Sequence, residues 1–319
     1  MRRKSVSYAK YGYIFSIPFV LAFLVFTLYP ILYTCIIGFT DLKGLGKETF
    51  KFLDNPFQNF QLILKNESFQ KGLVNTVIMW TMNFIPQIVL AMILTAWFTN
   101  RNLKVKGQGA FKVLLYMPNI ITAATIAILF NALFGYPMGP INDLFVRFGW
   151  AEEPIYFLMQ KWTARGIIAF IQFWTWYGNT MIVLIAGVLG INPALFEAAE
   201  IDGASATQTF FKITLPSLRT ILLYTLVTSL IGGLNMFDVP RLFNLGGPDQ
   251  STSTASTFIY SQAFGGSFFY NRAAAASMIM FAIIAVLSGI LFYVMRDKDA
   301  ALYKKEMKAI RMAQKEAAK

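Results

Sequence analysis

The sequence predicts an all-α, polytopic membrane protein with six transmembrane helices, and three observations carry that prediction. Composition is the first: of 319 residues, 56% are apolar and only 14% are charged, too few charges to cover a soluble protein of this length. The second is that the apolar residues gather into six stretches, near 11–39, 73–98, 113–134, 166–190, 220–237 and 273–295, none of which contains Asp, Glu, Lys or Arg. A helix crossing the hydrocarbon core needs about 20 such residues. The third is the placing of the cations. With both termini inside, the inner segments hold 18 Lys and Arg against 10 in the outer ones, the asymmetry expected of a cytoplasmic N-terminus and C-terminus.

The first stretch follows Arg2-Arg3-Lys4, as a secretion signal does, but its 29 residues, 11–39, all uncharged, are far more than a signal's apolar region of roughly 7–15. It reads as a retained helix that Pro18 and Pro30 kink. Residues 41–71 form an external excursion whose end, 60–69, is partly amphipathic and expected at the membrane surface. The triplet Asn66-Glu67-Ser68 is a glycosylation sequon of a kind that arises often by chance. The inner loop Arg101-Asn102-Leu103-Lys104-Val105-Lys106 carries cations and no acid, and anchors the orientation. The fifth stretch is the shortest, with Gly232-Gly233 inside it and Asp238 just past its end. The organisation expected is therefore a cytoplasmic N-terminus at 1–10, a transmembrane domain over 11–295 and a solvated cytoplasmic tail over 296–319.

Several chemistries lack their residues. There is no His, and Cys35 is the single cysteine, so zinc sites, Cys/His nucleophiles and disulfides are excluded, and Cys35 reads as a small apolar side chain. The net charge of +12 is spread beside the spans rather than gathered in one basic domain, so it reports topology and not nucleic-acid binding. No phosphate-binding G-x-x-x-x-G-K-[ST] loop occurs; Gly44-Leu45-Gly46-Lys47 has the wrong spacing. Spans without carboxylates weigh against a proton-coupled porter, although sodium sites built from backbone carbonyls stay open. They also weigh against an intramembrane enzyme, which needs acid/base pairs.

The inner loop over 192–216 is the most informative segment. Asn192 can cap a helix with Pro193 at its first position. Glu197, Glu200 and Asp202 are acidic, Ala198 and Ala199 offer a surface that another backbone can approach, Gly203 permits a break, and Ser205 can cap a second short helix that ends near Pro216. The result is a compact helix–turn–helix suited to docking in a cleft. The same residues would also serve as a plain amphipathic connector between two spans.

Glu197-Ala198-Ala199, then Gly203, then Ile213, Leu215 and Pro216 resemble, at every fixed position, the E-A-A motif of permease subunits of binding-protein-dependent ABC importers. Phe69 with Leu73-Val74-Asn75-Thr76, and Phe237-Asp238 with Leu245-Gly246-Gly247-Pro248, narrow the resemblance to the carbohydrate permeases of the maltose-transporter type. The extra N-terminal spans and large external domain of the maltose member are missing here, as in shorter six-span relatives.

The resemblance implies a type I importer architecture in the bacterial cytoplasmic membrane. A second homologous permease subunit would complete the path, two ABC ATPase subunits would bind beneath, and an extracytoplasmic solute-binding protein would deliver a sugar or oligosaccharide. ATP and Mg would belong to the ATPases, with no cofactor on this chain. Glu197, Ala198, Ala199, Asp202 and Gly203 would dock the ATPase. Gln172, Trp174, Trp176, Tyr177 and Asn179 are the polar and aromatic groups of the fourth span. Trp176, Asn179, Ser229, Gly232, Gly233 and Met236 fall at the family's substrate-lining positions, and Asn235 lies beside them. Trp176 can alternatively be an interfacial anchor. The two glycines can widen the cavity or merely let helices pack closely. Two other functions fit the spans: an ABC permease for another solute, such as glycerol phosphate or a peptide, and an ion-coupled secondary transporter.

Overall fold

The computed structural model describes residues 9–47, 49–100, 103, 106–295, 307 and 310. The basic N-terminal residues 2–4, most of the acid-free loop at 101–106 and nearly all of the tail after 295 lie outside the described residues.

Helix makes up 76% of the described residues, with the α-helices in the order α1 (Ala9–Phe23), α2 (Tyr29–Ile37), α3 (Gln58–Leu64), α4 (Glu67–Thr99), α5 (Gln108–Tyr116), α6 (Ala123–Leu133), α7 (Pro140–Arg147), α8 (Lys161–Leu189), α9 (Pro193–Ile201), α10 (Ala206–Thr209), α11 (Leu215–Ser217), α12 (Arg219–Leu234), α13 (Asp238–Asn244), α14 (Ala255–Phe264) and α15 (Tyr270–Met295). Five runs are long and apolar enough to cross a membrane: Lys10–Ile37, Glu67–Thr99, Lys161–Leu189, Arg219–Asn244 and Tyr270–Met295. A sixth span exists if the bent pair Gln108–Ile120 and Ala123–Leu133 is counted as one.

Three of the expected spans differ from continuous helices, each for a local reason. In the first, Leu24–Leu28 widens to a π turn, and the Tyr29 N–H reaches back to the Leu24 carbonyl. Pro30 follows directly; its ring would collide with the carbonyl of Phe26, four residues earlier, and the wider turn relieves that clash. The third, expected to run unbroken over 113–134, bends by 89° between Ile120 and Ala123. Pro118 lies in the short 3-10 turn Met117–Ile120, Ile121 is extended, and Thr122 caps α6 by accepting the Thr125 N–H at 3.3 Å. The fifth breaks after Leu234 and resumes as α13. Asp238, expected just beyond the membrane, is therefore within the run.

The chain divides into two compact units. The first holds the described residues up to Gln70 and Phe258–Ala282. Its centre is a buried amide pair: Asn59 Nδ2 donates to the carbonyls of Gly38 and Thr40, both at 2.9 Å, and Asn271 Nδ2 donates to Thr40 O at 3.2 Å and Asn59 Oδ1 at 3.3 Å. Ile63 and Phe69 are buried within this unit, whereas Phe57, Leu62 and Leu64 are exposed. Asn66, the sequon residue, accepts the Phe69 N–H and so caps α4.

The second unit, Lys71–Thr257 with the described residues from Ile283 onward, carries the candidate site. One of its cores joins Met79, Ile126, Phe130, Ile168, Ile171, Met236 and Phe243; another joins Ala91, Leu94, Tyr177, Met181 and Leu184. Close backbone approach is decisive at Gly178, where a Cβ would lie 2.3 Å from the Leu115 carbonyl oxygen. Any side chain there would push α5 off α8.

Candidate functional site

Two features of the second unit matter: the loop at 192–216 and a cavity between its helices. In the loop, Asn192 Oδ1 accepts the Ala194 N–H at 3.1 Å and Pro193 opens α9, which needs no N–H at that position. The helix ends at Ile201, with Asp202 as its C-cap. Gly203 then adopts φ +70°, the left-handed region that glycine enters without a Cβ penalty, and the Ala204 N–H bonds back to the Ala199 carbonyl at 2.9 Å. Ser205 and Gln208 form a reciprocal capping box, with bonds of 3.2 and 2.8 Å, that starts α10. A π turn over Phe210–Thr214 and α11 carry the chain past Pro216 to α12.

Glu197, Ala198, Asp202 and Gly203 are exposed, whereas Ala199, expected on the docking surface, is buried. Its carbonyl closes the turn, so it shapes the loop from within. Ile201 is 86% exposed and Leu195 is exposed too, an apolar pair that the sequence reading passed over. Bare apolar residues on a loop otherwise expected to be solvated are the available signal for them.

The cavity, of about 650 Å³, is lined by faces of α4, α6, α8 and α12 with the bend at Asn119 and Ile121 and the segment from Asn235 to Val239. All seven residues expected at the substrate, Trp176, Asn179, Ser229, Gly232, Gly233, Asn235 and Met236, lie on its wall. From α8, Gln172, Trp176 and Asn179 are spaced by four and three residues and share one face, while Trp174 and Tyr177 pack into the core. From α4 come Trp80, Asn83 and Gln87, again a helical spacing. Sequence reasoning missed these three; their signal was the polar period within an apolar stretch.

The alternative roles of the two glycines are divided between them. A Cβ on Gly233 would lie 2.0 Å from Trp80 Cδ1, so this glycine lets α12 approach the indole of α4. Around Gly232 there is nothing within 4 Å, so this one leaves the cavity wide. Trp80 Nε1 donates to Ser229 Oγ at 3.2 Å, and Gln87 Nε2 donates to Thr180 Oγ1 at 2.7 Å. Thr225 is buried on the wall and its hydroxyl has no hydrogen-bond partner among the described residues.

The cavity is tied to the connection at 245–254. Asn75 Nδ2 donates to the carbonyls of Gln250 and Ser253 at 2.7 and 2.9 Å, and Arg165 Nε donates to Ser251 O at 2.8 Å. The Ala255 N–H donates to Thr76 Oγ1, and Thr254 Oγ1 donates to the carbonyl of Met236 at 2.7 Å. Asn75-Thr76 and the segment around Gly246-Gly247-Pro248, far apart in sequence, thus hold one another beside the cavity. Leu245, Asp249 and Gln250 take positive φ, which bulky residues adopt only when their surroundings fix them.

The family model for the binding-protein-dependent transport system inner membrane component matches residues 66–298, which covers the loop, the cavity and the connection that braces it. The chain belongs to this family. It is an inner membrane component, a multi-pass membrane protein of the ABC importer permease fold. This component is 31% identical over 289 residues to the lactose transport system permease protein LacF of Rhizobium radiobacter, across 90% of this chain and 94% of that protein. It is also 31% identical over 283 residues to the arabinooligosaccharides transport system permease protein AraP of Bacillus subtilis, across 86% and 85% of the two chains. Among solved structures, a bacterial ABC transporter that imports the acidic polysaccharide alginate superposes with a TM-score of 0.74 at 25% identity, covering 89% of this chain and 94% of that one.

Proposed function

We propose that this inner membrane component forms half of the translocation path of an ATP-driven importer of sugars or oligosaccharides. The observation that carries the reading is the cavity wall, on which two indoles, Trp80 and Trp176, stand among the neutral donors and acceptors Asn83, Gln87, Asn119, Gln172, Asn179 and Ser229. Sugars offer apolar ring faces to aromatic side chains and hydroxyls to neutral polar ones, and the unpartnered Thr225 hydroxyl adds a further donor. Relatives named for lactose and arabino-oligosaccharides support the same class.

In this reading the loop at 192–216 couples the path to an ATPase. Glu197, Ala198, Asp202 and Gly203 present the docking face, with Ile201 and Leu195 adding apolar contact, and Ala199 holds the turn. A second permease subunit completes the path, and ATP and Mg act on two ATPase subunits below it. An extracytoplasmic binding protein delivers the solute; the solved alginate transporter is in complex with a periplasmic protein bound to an alginate pentasaccharide. Both termini face the cytoplasm of a bacterial cell. Movement of the loop rocks the helices between two packings that open the cavity to either side.

The test is uptake into proteoliposomes holding the complete transporter, with lactose, arabinotriose and maltotriose as probes. Uptake of at least one should need ATP, the ATPase subunits and the binding protein together. Uptake that persists without the ATPases would overturn the reading in favour of an ion-coupled transporter.

A further inference from the structure

The cavity wall has a charge pattern that its sugar-binding residues do not use. None of its lining residues is Lys or Arg, and the one carboxylate among them is Asp238. The other titratable group on the wall is the phenol of Tyr224. Asp238 reaches this position because α12 stops at Leu234 and the chain resumes as α13 within the same membrane-crossing run. It sits in the first turn of α13, where a negative charge is favoured. Its side chain is exposed, and it has no ion-pair partner among the described residues.

Two cations of the same unit are absent from the lining. Arg241, one turn further along α13, does not line the cavity. Arg165 is spent on Ser251 O and Asn75 Oδ1, with its guanidinium 4.9 Å from the Trp162 ring centre. A carboxylate that lines a cavity and makes no structural pairing points to the path itself. Walls of low dielectric focus its field into the cavity.

We propose that Asp238 is a specificity residue that makes this half of the path accept neutral and amino saccharides and reject acidic ones. The proposal rests on the sugar reading above. Its chemistry is like-charge exclusion: each uronate carries a carboxylate, and this wall has no cation to meet it. The alginate importer shares the fold and carries an acidic polysaccharide, so the fold alone does not set the charge of the solute. On this chain the setting falls to Asp238.

Because the binding protein has its own selectivity, the experiment omits it. The assembled transporter of permeases and ATPases is purified, and saturation-transfer NMR, which registers weak binding, is recorded with three probes. These are maltotriose, the fully deacetylated glucosamine trimer and trigalacturonate. The neutral and amino trimers should give transfer, and trigalacturonate should bind at least about tenfold more weakly, the factor produced by one modest charge–charge repulsion. Raising salt should narrow the gap as the Debye length falls. Asp238→Asn should narrow it at low salt, and Asp238→Lys should reverse the order of trigalacturonate and the amino trimer.

Equal binding of trigalacturonate and maltotriose in the unaltered transporter would overturn the proposal while leaving the sugar reading intact. So would an order of probes that both substitutions leave unchanged, with each variant still hydrolysing ATP. Failure of every trimer to bind a transporter that hydrolyses ATP would instead remove the sugar reading, and this inference with it.

Discussion

In the loop at 192–216, every hydrogen bond described above joins residues at most five positions apart: Asn192 with Ala194, Ala204 with Ala199, Ser205 with Gln208. In the cavity the corresponding bonds span 93 positions from Gln87 to Thr180 and 149 from Trp80 to Ser229. The two regions belong to one compact unit and are built on opposite plans. A loop held by its own caps keeps its shape when it is pushed and can pass a displacement to α12. A cavity held by contacts between helices changes shape whenever those helices slide, because packed side chains shift between discrete arrangements. Transport needs both properties: a stiff handle and a deformable wall.

The sharpest way to break this contrast is to disable the handle while sparing the wall. Gly203→Pro demands φ near −65° where the backbone holds +70°, and Glu197→Lys reverses an exposed charge on the proposed docking face. Each should lower uptake per ATP hydrolysed by about 5–150-fold, the range of ordinary coupling energies, with membrane insertion and saccharide binding kept. Normal uptake by both variants would remove the docking role.

Next in size is the wall. Gly233→Ala places a methyl against the Trp80 ring, and that indole must swing away from Ser229. Overpacking of this kind costs about 1–3 kcal/mol, so saccharide binding should weaken by roughly 5- to 150-fold while ATP hydrolysis without sugar continues. Gly232→Ala meets open space and should bind within about threefold of the unaltered transporter, since an unstrained surface change is worth at most ~0.5 kcal/mol. If the two variants bind alike, the division of labour between the glycines is wrong.

The brace comes third. Asn75→Ala leaves the carbonyls of Gln250 and Ser253 without their donor, a loss of about 1–3 kcal/mol. It should appear as faster proteolysis of the connection at 245–254. Equal cleavage rates would show that Arg165 and Thr76 hold the connection without it. The smallest effect belongs to Ser205→Ala, which removes half of the capping box for about 1 kcal/mol. Hydrogen exchange at Gln208 should quicken, and uptake should change only a few-fold. A loss as deep as that of Gly203→Pro would mean that the loop is less self-sufficient than its bonds imply.

The same contrast explains what could be read from the chain before it folded. Asn192-Pro193, Gly203 and Ser205 each announce a local backbone event, so the first helix, the break and the start of the second were legible, whereas the π turn over Phe210–Thr214 was not. Trp176, Asn179 and Ser229 were legible as polar or aromatic positions in apolar helices. Trp80, Asn83 and Gln87 carry the same signal and were passed over, because only the packing of α4 against α12 sets them on the same wall. The inward turn of Ala199 was hidden too, since its neighbour Ala198 is chemically identical and only the fold gives the pair two sides.

By itself the sequence determined the membrane class, the approximate spans, and the start and the break of the loop's first helix. All of these follow from apolar length, charge placing and short-range capping, quantities that lie along the chain. Tertiary structure decided that Asn75-Thr76 grips the distant Gly-Gly-Pro connection, that Gly232 opens space which Gly233 closes, and that Asp238 stands on the cavity wall. Each of these depends on which helix lies against which, and that is fixed by side chains meeting across the fold rather than by any residue's immediate neighbours.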